Sequence, residues 1–147
     1  MKHEYDLINL FKIKAAIESV FDKLGIDVNV DYDPGAQLGV DCNLKSKLYK
    51  DDIRLGIRVY PSGLATYNFY FDELDKTEKA LDLLNQFNDN VLCLKATLSN
   101  IGYLLISCEV EILTEDVAAA YTKKVLKDLV DDTTAKYLIP LSKLTHQ

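Results

Sequence analysis

Arg54 and Arg58 are the two arginines of the chain, and they stand four residues apart. Ile53, Leu55, Ile57 and Val59 alternate with Arg54, Gly56, Arg58 and Tyr60. That period of two is the pattern of a strand, so both arginines share one face and Tyr60 continues their row. A guanidinium presents a planar fork of donors suited to carboxylates. Gly56 between them leaves a floor without a side chain, where a partner's backbone or acidic side chain can approach closely. After the turn Pro61-Ser62-Gly63, residues 64–71 alternate again. Ala65, Tyr67, Phe69 and Phe71 take the inner face, and Thr66, Asn68 and Tyr70 the outer. Tyr70 is expected near Tyr60 across the hairpin turn. Arg54, Arg58, Tyr60, Asn68 and Tyr70 are therefore the candidate partner-binding residues, because tyrosine and arginine are favoured at interface hot spots. The competing arrangement pairs the arginines with Asp41, Glu109 or Glu111 on neighbouring strands, each exposed pair contributing less than about 1 kcal/mol.

Other chemistry finds little to build on. The two histidines, His3 and His146, lie near the termini, so a histidine triad or zinc site on a rigid scaffold is not expected. The glycines and lysines form neither a dinucleotide fingerprint nor a phosphate loop. Asp31-Tyr32-Asp33-Pro34-Gly35 superficially resembles a calcium loop. It lacks the acid or amide at the fifth position and the glutamate at the twelfth, and reads as aspartates shaping a turn. Asp51-Asp52 and Asp131-Asp132 read as loop and helix-end residues, and Glu109 and Glu111 as a solvated strand face. Cys42, Cys93 and Cys108 are odd in number and lie in apolar runs. They are expected as reduced, inward-facing core thiols, with a Cys93–Cys108 bridge the less favoured arrangement. No catalytic residue, cofactor or metal is assigned, and the chain is read as a non-enzyme.

The elements that carry these residues follow from periodicity. Residues 6–24 show helical spacing, with Leu7, Leu10, Phe11, Ile13, Ile17, Val20, Phe21 and Leu24 on the apolar side and Gly25 as C-cap. Val28, Val30 and Tyr32, then Leu38, Val40, Cys42 and Leu44, alternate around Asp33-Pro34-Gly35 as an antiparallel hairpin. Residues 45–51 form a polar connection, and the arginine hairpin follows. A helix capped by Asp75 or Thr77 runs to about Asn88, with Ala80, Leu83, Leu84 and Phe87 as its stripe. Val91–Ser99 and Tyr103–Leu113 form a third strand pair around Asn100-Ile101-Gly102. Leu92, Leu94, Ala96, Leu98, Leu104, Ile106, Cys108, Val110 and Ile112 are the inward candidates. Thr114 caps a long helix to about Asp132, and the tail around Pro140 is expected to hold one short docked turn or helix. The whole of 1–147 then forms a single α+β domain, a two-layer sandwich of a mainly antiparallel sheet in the order α-ββββ-α-ββ-α with the helices on one face.

Composition sets outer limits. Hydrophobic residues make up 48% and charged residues 27%, enough apolar side chain for a core without disulfides or metal. No apolar run approaches the length of a membrane span. Seventeen basic against 23 acidic residues leave a net charge of −6, which repels phosphate backbones and argues against nucleic acid as a partner. Lys12 and Lys14 interrupt the first apolar stretch, so no signal peptide is read and a cytoplasmic location is expected.

Residues 80–88, the strand end Glu109–Leu113 and the opening Thr114-Glu115-Asp116-Val117 together resemble the type III secretion chaperone-like superfamily, including its YbjN-type bacterial members. That family has a leucine-rich helix ending in asparagine, then a strand pair, an acidic-apolar strand end and a capped helix. It usually has three strands before the middle helix, where this chain shows four. The resemblance implies an adaptor that binds another protein, often as a homodimer, through the sheet face or edge. The other function in keeping with the residues is a small acidic inhibitor or immunity protein, of phage or mobile-element type, that blocks its target by occlusion. Asp27, Asp31, Asp33 and Asp41, and six acids against two lysines over residues 72–89, motivate it.

Overall fold

The computed structural model describes residues 8–50 and 52–146; His3, Leu7 and Asp51 lie outside them. The first helix, α1, is Leu10–Lys23. It starts later than residue 6 because the Asn9 side chain accepts the Lys12 backbone N–H at 3.2 Å and caps it there. At the other end Gly25, at φ 71°, donates to Asp22 O while Ile26 donates to Phe21 O, a Schellman closure. Leu10, Ile13, Ile17, Val20 and Phe21 form the buried stripe; Phe11, next to Leu10 on the solvent side of the helix, and Leu24, past the last helical residue, are exposed rather than part of it.

Strands β1 (Asn29–Asp33) and β2 (Gln37–Leu44) make the first hairpin, and β3 (Ile53–Val59) and β4 (Leu64–Glu73) the second. Helix α2 (Glu78–Asn90) is capped by Thr77, whose hydroxyl accepts the Ala80 N–H. Strands β5 (Lys95–Leu98) and β6 (Tyr103–Glu111) lead into α3 (Glu115–Leu129), capped by Thr114. The tail is a full helix, α4 (Asp132–Leu144), rather than a short turn. Pro140 within α4 interrupts the helical signal in the sequence, yet Thr134, Ala135, Leu138, Leu141 and Ser142 are buried along it. None of the described helices is long and apolar enough to cross a membrane.

All six strands join one antiparallel sheet in the order β1-β2-β3-β4-β6-β5. Four strands precede α2, as expected. The core gathers the inner face of the sheet together with the apolar stripes of all four helices. Leu38, Val40, Leu55, Ile57, Tyr67, Phe69, Leu104 and Ile106 supply the strand side of it, all nearly inaccessible.

The third strand pair is shorter than Val91–Ser99 and Tyr103–Leu113. The chain bends at residues 92–93 before β5 begins, so Leu92 is 95% exposed instead of inward, while Val91 and Leu94 take the buried places. Leu98, Cys108 and Val110 are only partly buried against the core. At the C-terminus Thr145 bridges to Leu74, and the His146 ring nitrogen lies 3.0 Å from Asp75 Oδ2.

Candidate functional site

With the described helices all contributing to the inner layer, the other sheet face stays open. Register lays it out as rows. One row crosses all six strands: Asn29, Asp41, Gly56, Asn68, Ser107 and Lys95. On one side of it run Asp31, Gly39, Arg58, Thr66 and Glu109; on the other, Asn43, Arg54, Tyr70, Leu105 and Thr97. Gly56 is thus a gap in the middle of the face, with an arginine on each side along its own strand.

The two arginines behave differently. Arg58 grips Asp41 with both ends of its fork, Nη1 to Oδ1 at 3.1 Å and Nη2 to Oδ2 at 3.2 Å. Its guanidinium lies on the Gly39 backbone, where an added Cβ would come within 3.2 Å of Nη1. For Arg58 the cross-strand pairing with Asp41 is therefore the arrangement found. Arg54 has no ion pair among the described residues; its guanidinium carbon sits 5.8 Å from the centroid of the Tyr70 ring. Arg54, Gly56, Arg58 and Tyr70, with Asp41 and the adjoining ends of β1 and β2 at Asn29 and Asn43, line a shallow cup of about 390 Å³.

Asn68 and Tyr60 do not line it. Asn68 stands opposite Gly56, on the same face but beside the cup. Tyr60 lies at the far end of the hairpin, and Tyr70 pairs with Arg54 rather than standing near Tyr60. The reason is register: Val59 pairs with Ala65, so strand positions near the turn belong to residues 64–66. Asn29, Asn43 and the seat at Gly39 carry no signal of their own in the sequence, because their place depends on how β1, β2 and β3 pair.

Neither sheet edge favours strand pairing with a second copy. On β5 the Asn88 side chain donates to Ala96 O at 2.9 Å and accepts the Ala96 N–H at 2.8 Å, taking the place of a neighbouring strand. On β1, Asp31 and Asp33 would face the same acids of a second copy.

Asp33 shapes its turn, as expected, by accepting the Gly35 N–H at 3.0 Å. Among the described residues no three histidine, cysteine or carboxylate side chains converge to hold a metal ion. All three cysteines are free, Cys42 buried and Cys93 and Cys108 partly so. Burial, with Asp41 beside it, pushes the Cys42 thiol up to about 11, and burial does the same for Cys108 with Cys93 and Asp128 adding to it. Thiolates are the reactive form, so alkylation of the folded protein is expected to be slow and to accelerate on unfolding. Rapid reaction of two or more cysteines in the native state would contradict their placement. The raised values also make folding pH-dependent, because the unfolded thiols release protons first, near 9.0. Stability fully present below that pH is then lost as pH rises toward about 11. The slope is at most on the order of 1 kcal/mol per pH unit for Cys42, and smaller for the partly solvated Cys108. Urea unfolding at a series of pH values measures it.

The chain matches no family model, no curated protein and no solved structure.

Proposed function

We propose that the protein is a non-enzymatic, cytoplasmic binding module, chaperone-like or adaptor in kind, that docks another protein on the open face of its sheet. The observation that carries this reading is the cup at the centre of that face, where an arginine without a carboxylate and a tyrosine ring flank a glycine floor. Desolvated arginine and aromatic side chains are the usual anchors of protein interfaces. The resemblance to the type III secretion chaperone-like superfamily supports the same role. A homodimer, which that resemblance also implies, has the same face as its available seam, since both edges disfavour strand pairing. A partner and a second copy then compete for one surface.

The test compares the wild-type chain with Arg54→Ala/Arg58→Ala in affinity capture from the cells that make the protein. Loss of at least about tenfold in partner affinity, with melting almost unchanged, is the expected result. Unchanged binding per folded molecule would place the partner elsewhere. Stabilisation of the captured partner marks an adaptor or chaperone; inactivation marks the occluding inhibitor.

A further inference from the structure

We propose that the cup around Arg54 receives a carboxylate side chain, a glutamate or aspartate that the partner protein presents to the open face; this rests on the docking role above and names its chemistry. Arg54 is exposed, and among the described residues no carboxylate engages it. Tyr70 lies against its guanidinium, a contact that leaves the N–H edge of the fork available. Asp41 turns both of its oxygens to Arg58 and makes no ion pair with Arg54.

Charge selects the ligand. Two arginines against one aspartate leave the cup a single positive charge, which one carboxylate neutralises. A phosphate dianion would leave excess negative charge facing Asp41. Shape selects a side chain over a chain terminus. The floor of the cup lies in the interior of the sheet, where Asp41, Gly56 and Tyr70 have a ladder partner on each side and only the end of β2 at Cys42 and Asn43 lacks one toward β1. No cluster of free N–H groups is left there to hold a terminal carboxylate. A segment crossing the face can instead reach the Arg54 fork with a side chain that passes over the bare Gly56 floor on its Tyr70 side, away from Asp41 Oδ1.

The experiment titrates the full chain with three acetylated pentapeptides and follows the Arg54 Nε–Hε and Gly56 amide signals by NMR. One carries glutamates and an amidated end, the second glutamines in their place, and the third only alanines with a free C-terminus. The glutamate peptide is expected to give saturable shifts with a Kd on the order of millimolar, weakened at least about tenfold by Arg54→Gln. Added salt should weaken it further. Gly56→Val, which fills the floor and keeps both arginines, should abolish the response. No saturable shift, an equal response to the glutamine peptide, or a response that survives Arg54→Gln would overturn the proposal. A stronger response to the free C-terminus would overturn the side-chain assignment. If Arg54→Ala/Arg58→Ala loses the captured partner while the glutamate peptide gives no response, docking on this face stands and the carboxylate claim alone fails. If partner binding survives the double variant, the docking reading fails whatever the peptides do.

Discussion

Replacing Tyr67 with alanine is expected to remove about 3–5 kcal/mol of stability, the cost typical of deleting a large buried aromatic ring. Tyr67 is fully inaccessible and lies between Ile57 and Cys108 on the adjacent strands. Its ring also meets Tyr121 of α3 at 5.9 Å between centroids. The hydroxyl reaches Thr122 Oγ1 at 2.8 Å, a buried hydrogen bond that ties the sheet to α3. Tyr67→Phe keeps the ring and leaves Thr122 without that partner, at a cost of about 1–2 kcal/mol. Adding Thr122→Val should recover part of the loss, because removing both partners leaves no buried polar group unsatisfied. Denaturant unfolding of the three variants measures each step. A loss below about 1 kcal/mol for Tyr67→Ala would mean the ring does not fill the core.

Gly63→Ala is the second large effect, expected at about 2–3 kcal/mol from backbone strain combined with a close contact. Gly63 has φ +97°, and a Cβ there would lie 2.8 Å from Leu113 Cδ2 and 3.1 Å from the Ile112 carbonyl oxygen. The backbone cannot easily withdraw, since the Ile112 N–H donates to Gly63 O at 2.7 Å. Gly25 and Gly102 also have positive φ, 71° and 87°, but nothing lies within 4 Å of a Cβ at either. Alanine at those two sites carries only the conformational cost, about 1–2 kcal/mol. Equal melting losses at all three positions would show that the contact with residues 112–113 does not contribute.

Element order and strand faces were legible in the sequence because both are local properties. A period of two places Arg54 and Arg58 on one face whatever their neighbours are, and Thr77 and Thr114 cap helices with their own side chains. Local signals were also misleading in places. Leu92 continues an alternating pattern, yet the chain bends there and turns it to solvent, and Pro140 hides a helix whose buried side is set by the core it packs on. Cross-strand partners are a different kind of information. Backbone donors and acceptors repeat identically along every strand, so which residue faces which is decided by turn closure and by the fit of the buried face. Only the folded sheet puts Asp41, 17 residues away in sequence, within reach of Arg58, and sets Tyr70 rather than Tyr60 beside Arg54. The sequence alone thus determines that two arginines share a surface; the pairing of β2, β3 and β4 decides that one is bound to an aspartate and the other is open to a ligand.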